Sequence, residues 1–206
     1  MAAEAPTFTL VLGGARSGKS TFAQRLAIRL GGPVLFVATG SPLDEEMAER
    51  IAAHREARPS SWRTVEAALH VGAAVRENNG ARVVLLDCLT LLASNWLTEG
   101  SQPGGAAPGP DAATLLENEL ASVLKETRAR GAHLIVVSNE VGMGIVPPYP
   151  LGRRYRDLLG EANQRLAEQT DAVYLLVAGI PVELKSLSLR SSLPRLRGTD
   201  SSLRSE

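Results

Sequence analysis

The sequence predicts an α/β fold, with a doubly wound, mostly parallel sheet that carries helices on both faces. Five short runs rich in Val, Leu and Ile are apolar throughout rather than alternating, which is typical of strands covered on both sides. Longer helical stretches lie between these runs, as expected when crossover helices connect parallel strands. The predicted strands are residues 8–12, 34–38, 83–87, 133–138 and 172–177, and the predicted helices are residues 19–30, 44–58, 67–78, 112–130 and 151–170.

The chain of 206 residues is long enough for one α/β domain, which we assign to residues 1–185. Within it, a flexible surface loop is expected at about residues 99–111, because GSQPGGAAPGP is almost entirely Gly, Pro, Ala and Ser. Asp111 is a good N-cap for the helix that follows this loop. Residues 186–206 are rich in Ser and Arg, and we expect them to be mostly disordered.

Charge and cysteine content argue against several classes of function. The 22 acidic residues balance the 22 basic ones, so bulk charge does not indicate a nucleic acid or an anionic membrane surface as partner. No apolar run reaches the ~20 residues that span a bilayer, and residues 1–9 lack the pattern of a signal peptide, so no membrane insertion is expected. The single cysteine, Cys88, permits no internal disulfide, which fits the cytoplasmic location that we expect.

Residues 13–20, GGARSGKS, match the phosphate-binding motif G-x-x-x-x-G-K-[ST]. The motif follows a predicted strand and opens a predicted helix, which favours a P-loop fold of the RecA-like type over a Gly-rich turn that binds nothing. Backbone N–H groups of such a loop turn toward phosphate oxygens, and the helix N-terminus adds partial positive charge. We therefore expect a bound nucleoside triphosphate, with Lys19 at its outer phosphates and the Ser20 hydroxyl on Mg²⁺.

A second ligand for Mg²⁺ is expected at the end of another apolar strand. Residues 83–87, VVLLD, place Asp87 at such a strand end, where a carboxylate can hold the metal of a bound nucleotide. The alternative is an Asp that caps the next turn, and the short motif leaves both interpretations open.

His54 lies in the predicted helix 44–58, on one face with apolar residues. One interpretation is a structural histidine that packs beside that face. The other follows from the arginines around it, since an imidazole among guanidinium groups is less readily protonated and a neutral imidazole is a competent nucleophile toward phosphorus. The same arginines are able to hold a triphosphate for attack at its α-phosphorus. These arginines are Arg50, Arg55, Arg58 and Arg63.

Longer motifs extend beyond the phosphate loop. They are GGARSGKS (13–20), VATGSPLDEEMAERIAAHREARPSSWRTVE (37–66), LLDCLT (85–90), SNEVGMGIVP (138–147), RRYRDLLGEANQRLA (153–167) and GIPVELK (179–185). In these motifs, over residues 8–185, the chain closely resembles the bifunctional adenosylcobinamide kinase / adenosylcobinamide-phosphate guanylyltransferase family of cobalamin biosynthesis. GGARSGKS followed by HREARP, WRTVE and NEVGMGIVP is far more specific than a P-loop alone.

The resemblance implies two reactions. In the first, the γ-phosphoryl group of ATP or GTP passes to the hydroxyl of the aminopropanol arm of adenosylcobinamide. In the second, GTP guanylylates an enzyme histidine, which falls on His54 here, and adenosylcobinamide phosphate then displaces the GMP. The resemblance further implies a small-molecule corrinoid substrate and a homotrimeric assembly.

The resemblance also implies a set of nucleotide-binding positions. Within this set, Glu66 has a carboxylate that can accept hydrogen bonds from N1–H and N2–H₂ of guanine, although it can equally be read as a surface residue. The full set is Gly13, Gly14, Ala15, Arg16, Ser17, Gly18, Lys19, Ser20, Ala38, Thr39, Gly40, Arg55, Glu56, Ala57, Arg58, Glu66 and Asp87.

Residues 139–144, NEVGMG, follow a predicted strand, where loops of an open α/β sheet line the ligand crevice. We interpret this loop as a wall of the active site, and the alternative is a Gly-rich turn that only returns the chain. Two other functions stay open on the residues alone. One is a monofunctional P-loop kinase of another small metabolite with a structural His54. The other is a nucleotide-dependent switch, which needs a mobile segment that senses the γ-phosphate. Residues 100–110 are the candidate segment, and they lack the polar side chains for that task.

Overall fold

A computed structural model of the protein describes residues 5–40, 45, 49, 52, 55–56, 58–99 and 111–190. Most of the predicted helix 44–58, the Gly-rich residues 100–110 and residues 191–206 lie outside this described part of the chain. Among the residues that the structure describes, none of the helices combines the length and apolarity that a bilayer crossing requires.

Seven strands of the described residues form one sheet. They are β1 (Phe8–Gly13), β2 (Val34–Ala38), β3 (Arg63–Glu66), β4 (Val83–Asp87), β5 (His133–Val137), β6 (Ala172–Val177) and β7 (Ile180–Glu183). The strand order is β3-β2-β4-β5-β1-β6-β7, and every neighbouring pair is parallel except β6 and β7. The predicted mostly parallel sheet is therefore confirmed.

Helices of the described residues cover both faces of this sheet, as predicted. They are α1 (Lys19–Leu30), α2 (Val71–Glu77), α3 (Leu89–Glu99), α4 (Ala112–Ala129), α5 (Pro150–Gln169) and α6 (Leu184–Arg190). On one face, Ala23 and Ala27 of α1 pack against side chains such as Phe36 of β2. On the other face, α2, α3, α4 and α5 bury a larger cluster. Because both faces are covered, every residue of β2 and β5 is buried, which explains their continuous apolar runs.

Four elements lie beyond those predicted, namely β3, β7, α3 and α6. Strand β3 is a polar edge strand, and β7 contains Pro181, which is tolerated at a sheet edge. Helix α3 is strongly apolar and directly follows a strand, so no change of pattern separates the two. The predicted helix 67–78 begins only at Val71, because residues 67–70 form the connection from the end of β3 at Glu66 to the helix.

Helix α6 reaches into the segment 186–206 that the sequence predicts to be mostly disordered, and it makes residues 186–190 helical. Its start is fixed by the carboxylate of Glu183, which accepts hydrogen bonds from Lys185 N at 3.0 Å and from Ser186 N at 2.7 Å. A carboxylate that satisfies the first N–H groups of a helix stabilises that end. The rest of the segment lies outside the described residues.

Candidate active site

The phosphate loop joins the end of β1 to the start of α1. Gly13 ends β1, and Gly18 precedes Lys19, the first residue of α1. Gly18 has a φ of 92°, and a Cβ atom there would lie 3.2 Å from the Cα atom of Gly179, in the turn between β6 and β7. Glycine alone combines that backbone conformation with so close an approach. The two segments are also joined by a 2.9 Å hydrogen bond from Gly179 N to Ser17 O.

The first turn of α1 presents backbone N–H groups to a ligand. Among the described residues no side chain caps this helix, whereas Asp111 Oδ1 caps α4 by accepting a 2.8 Å hydrogen bond from Thr114 N. The first N–H groups of an α-helix have no intrahelical partner, and the helix dipole adds partial positive charge at the same end. This end of α1 is therefore suited to bind an anion such as a phosphate group.

The side chain of Lys19 is held inside the phosphate loop. The residue is only 8% exposed, and its Nζ donates a 2.6 Å hydrogen bond to Gly14 O. Burial lowers the pKa of Lys19 below its usual value, while the nearby Cys88 and Asp87 oppose that change. The side chain is thus fixed at the loop before any ligand arrives.

The carboxyl ends of four strands meet in one row beside the loop. The register pairs Glu66 of β3 with Ala38 of β2, Ala38 with Asp87 of β4, and Asp87 with Val137 of β5. Because parallel strands end at the same edge of a sheet, this row places two carboxylates, those of Glu66 and Asp87, at the sheet edge that carries the phosphate loop.

A cavity of about 560 Å³ lies at this edge, within the range of sites for small ligands. Both ends of the row, Glu66 and Val137, contribute to its walls. The sequence-predicted site residues that line it are Ala15, Arg16, Ser17, Gly18, Lys19, Ser20, Ala38, Gly40, Arg55, Arg58, Glu66 and Asp87.

The remaining sequence-predicted residues lie elsewhere or outside the described residues. Gly13 is buried at the end of β1, Gly14 contributes its carbonyl to Lys19, and Glu56 is exposed without lining the cavity. His54 and Ala57 fall outside the described part of the chain.

Thr39 is fully buried behind the cavity rather than on its surface. Its hydroxyl donates a 2.6 Å hydrogen bond to Cys88 O and accepts a 2.9 Å hydrogen bond from Cys88 N. Its backbone N–H donates to Asp87 O at 3.2 Å. Thr39 therefore holds the end of β4, and with it Asp87, in place.

Arg58 is supported by aromatic side chains. Its guanidinium carbon lies 3.7 Å from the centre of the Phe36 ring, and Phe36 stacks on Trp62 with 6.3 Å between ring centroids. Burial lowers the pKa of Arg58, Asp87 opposes the change, Arg55 adds to it, and a guanidinium group stays charged in proteins. This arrangement fixes a positive charge on the cavity wall.

Two buried polar atoms near the loop have no hydrogen-bond partner among the described residues. They are the Ser17 hydroxyl oxygen and Arg58 Nε. An unpaired buried polar group costs about 1–3 kcal/mol, so native structures rarely keep one without a ligand or water. Both groups are donors, as a phosphate site requires.

Six further residues of the cavity wall lie outside the predicted nucleotide-binding set. They are Thr21, Cys88, Thr90, Leu91, Val137 and Asn139. Thr90 and Leu91 lie in the first turn of the unpredicted helix α3. The signal that could have found them is their position just after the strand end at Asp87, where residues of a parallel sheet line the ligand crevice. Asn139 belongs to the loop that the sequence placed at the active site. Burial raises the pKa of the Cys88 thiol to about 11, so this thiol is protonated and a poor nucleophile at neutral pH.

The donor set suits Mg²⁺. Ser20 and Asp87 line the same cavity, and the described residues contain no cluster of three or more His, Cys, Asp or Glu that could hold a metal alone. Mg²⁺ in nucleotide sites takes few protein ligands and completes its shell with phosphate oxygens and water. One hydroxyl and one carboxylate beside a phosphate loop match that requirement.

The fold and the cavity define a P-loop protein that binds a nucleotide. The family model described as cobinamide kinase / cobinamide phosphate guanyltransferase matches residues 9–184. The chain belongs to this family.

Three curated relatives are similar over most of the chain. The bifunctional adenosylcobalamin biosynthesis protein CobU of Escherichia coli is 41% identical over 183 residues, covering 85% of this chain and 98% of that protein. CobP of Pseudomonas aeruginosa, with the same description, is 42% identical, covering 85% and 96%. CobU of Salmonella typhimurium is 39% identical, covering 85% and 98%.

The fold is also similar to that of a solved ATPase from the type III secretion system of pathogenic bacteria. The TM-score is 0.51 at 11% identity, and the match covers 92% of this chain and 55% of the ATPase chain. At this identity the likeness concerns the fold alone.

Proposed function

We propose that this protein is a bifunctional transferase. It phosphorylates adenosylcobinamide with ATP or GTP and then transfers GMP from GTP to the adenosylcobinamide phosphate. The observation that carries the proposal is the shared cavity, where the phosphate loop, Arg55, Arg58 and the strand-end carboxylates meet. The description of the family and the names of the curated relatives support the pairing of the two reactions and argue against a monofunctional kinase.

Phosphoryl transfer depends on positioning and on neutralising charge. The acceptor hydroxyl oxygen forms a bond to the γ-phosphorus, the bond from that phosphorus to the bridging oxygen breaks, and the nucleoside diphosphate leaves with the electron pair. The hydroxyl proton passes to water. Lys19 and the N–H groups of the first turn of α1 hold the phosphates, and the Ser17 hydroxyl gains a partner that it lacks among the described residues.

Guanylyl transfer uses His54 as the nucleophile. One imidazole nitrogen forms a bond to the α-phosphorus of GTP, the bond to the bridging oxygen breaks, and pyrophosphate leaves. A phosphate oxygen of adenosylcobinamide phosphate then displaces the imidazole and yields adenosylcobinamide-GDP. Arg55, the residue after His54, lines the cavity, and Arg58 offers its fixed charge to the triphosphate.

Glu66 is the proposed reader of guanine, through its acceptance of the N1–H and N2–H₂ donors. Its carboxylate lies 3.5 Å from Arg55 Nη1, and the two side chains are 62% and 70% exposed. An exposed ion pair is worth at most about 1 kcal/mol, so a base can replace the arginine at little cost.

Ser20 and Asp87 would hold Mg²⁺ in this site, and the metal would supply charge neutralisation at the phosphate oxygens when bound. Thr39 contributes by holding Asp87 in place through the backbone contacts around Cys88.

Labelled GTP tests the covalent route. In Mg²⁺ without corrinoid, the protein is expected to gain one acid-labile, base-stable GMP per chain, mapped by mass spectrometry to His54. His54→Ala is expected to lose the label while phosphorylation of adenosylcobinamide survives, because phosphoryl transfer needs no covalent intermediate. The control is His70→Ala, an exposed histidine that does not line the cavity. GMP transfer at the normal rate by His54→Ala would rule out the route.

The proposal includes a homotrimeric assembly and a cytoplasmic location. Exposed apolar side chains of residues 143–151 support the assembly. The single cysteine and the nucleotide-dependent chemistry support the location.

A further inference from the structure

Asn139 lies two residues after the end of β5, the strand between the one that leads into the phosphate loop and the one that ends in Asp87. The backbone on either side of it bonds to the β1 segment, with Ser138 N to Val11 O at 2.9 Å and Glu140 N to Gly13 O at 3.0 Å. Asn139 N itself donates a 2.8 Å hydrogen bond to the hydroxyl of Thr90, three residues after Asp87. Asn139 is therefore fixed between the phosphate loop and the strand-end carboxylate.

Two helices fix this position further. The carbonyl of Asn139 accepts a 3.1 Å hydrogen bond from Nδ2 of Asn163 on α5, a side chain that is only 5% exposed. The carbonyl of Thr90 on α3 accepts a 3.3 Å hydrogen bond from the Tyr155 hydroxyl. The pKa of Tyr155 is raised to about 12 by burial and by Cys88, so this hydroxyl keeps its proton at neutral pH. A residue held on both backbone groups by buried partners is preorganised for its task.

Among the described residues, the side chain of Asn139 has no such partner. Asn139 lines the cavity, and within the described part of the chain its carboxamide makes no hydrogen bond, although its backbone N–H and C=O are both used. A carboxamide offers two N–H donors. At a cavity built for phosphates, donors of fixed position stabilise charge that develops during the reaction.

We propose that Asn139 is a catalytic residue of the phosphoryl transfer, in which its side-chain NH₂ donates a hydrogen bond to an oxygen of the transferring γ-phosphoryl group. This inference rests on the proposed function. As the bond from the γ-phosphorus to the bridging oxygen breaks and the bond to the acceptor hydroxyl forms, the carboxamide stabilises the charge on the equatorial oxygens. In guanylyl transfer the bond that breaks lies at the α-phosphorus, so a contact to the γ-phosphoryl group is remote from the reacting atoms.

The test compares the two reactions in one variant. Asn139→Ala is expected to lower kcat for phosphorylation of adenosylcobinamide about 100-fold with little change in KM for the nucleotide, as for the loss of one preorganised donor. The rate of self-guanylylation with labelled GTP is expected to fall much less, by a factor at least ten times smaller than the fall in kcat for phosphorylation. Asn139→Asp keeps the shape but removes the donor, and is expected to lose as much kinase activity. Both variants retain the backbone contacts that fix the segment.

The control is Asn79→Ala, an exposed residue in the turn before β4, at the opposite end of that strand from the cavity. It is expected to leave both rates unchanged. The inference would be overturned if Asn139→Ala phosphorylated the corrinoid with the kcat of the wild-type protein, or if it lost both reactions equally. A wild-type protein that phosphorylates no corrinoid would instead refute the proposed function.

Discussion

Among single residues, Lys19 is the one whose burial has the clearest consequence for binding. Its ammonium group donates a hydrogen bond to a carbonyl of its own loop. Among the described residues, this backbone carbonyl rather than a carboxylate holds the ammonium group in place. Replacing Lys19 removes a desolvated charge and one hydrogen bond. The fold is therefore expected to survive a substitution that abolishes binding of the triphosphate.

Lys19→Ala is expected to remove the thermal stabilisation that GTP and Mg²⁺ give the protein. A ligand at a hundred times its Kd stabilises by about 2.7 kcal/mol, which corresponds to a Tm increase of about 5–10 °C for a chain of this size. Thermal unfolding with and without GTP measures this shift. The matched control is Lys125→Ala, an exposed lysine on α4, which should retain it. An undiminished shift in Lys19→Ala would contradict the assignment.

Residue chemistry was readable from the sequence where it depends on neighbours in the chain. The spacing of Gly13, Gly18 and Lys19 predicts the phosphate loop. The apolar run before Asp87 predicts a strand that ends at this residue. Thr39 is different, since its hydroxyl bonds to Cys88 across the sheet, 49 residues away in sequence. Such a pairing cannot be predicted from spacing in the sequence, because it arises only when the strand order places β2 beside β4.

At the scale of elements, α2 and α4 approach each other unusually closely. Gly72 N donates a 2.7 Å hydrogen bond to Oε1 of Glu119, whose side chain is buried. A Cβ atom at position 72 would lie 2.1 Å from Oγ and 2.6 Å from Cβ of Ser122. The contact between these two helices therefore requires a glycine, which has no side chain, at position 72.

Gly72→Ala is expected to destabilise the protein by about 1–3 kcal/mol, because the added methyl group forces two packed helices apart. The matched control is Gly160→Ala on α5, where an added Cβ atom meets nothing within 4 Å. There the substitution is expected to stabilise by up to about 1 kcal/mol, since Ala is the better helix former. Urea unfolding of both variants measures the difference. Equal effects would show that the helix contact does not depend on this glycine.

The elements that the sequence missed share a physical cause. Helix α3 buries Leu89, Leu92, Ala93, Trp96 and Leu97, so it lacks the polar face that separates a helix from the strand before it. Strand β3 has no apolar run, and its strand character depends on pairing with β2. In contrast, α1 was predicted with its observed bounds, because the phosphate loop marks its start and Gly31 and Gly32 mark its end.

For the whole molecule, the exposed apolar surface points to assembly. Five large apolar side chains are more than half exposed within residues 143–151, and Ile145 reaches 96%. Contiguous exposed apolar residues of this kind mark surfaces that another chain covers. We expect them to contribute to the contact between copies in the proposed homotrimer.

Light scattering after size exclusion tests this expectation. The wild-type protein should give three times the 21.8 kDa mass of the chain, and Ile145→Asp should lower that mass because a buried charge opposes association. The matched control is Ile28→Asp, an exposed apolar residue of α1 that is 58% exposed. It should retain the assembly. A wild-type mass equal to one chain would contradict the trimer.

The position of β1 within the sheet also governs when the nucleotide site can exist during synthesis. Both neighbours of β1 are late in the chain, β5 at residues 133–137 and β6 at residues 172–177, and the turn at Gly179 supports the loop from behind. A nascent chain that has emerged only as far as α3 holds the whole GGARSGKS motif but none of the strands that flank it. We therefore expect affinity for phosphate to develop only late in synthesis, after β5 and β6 have been made, although the motif itself is among the first residues to appear.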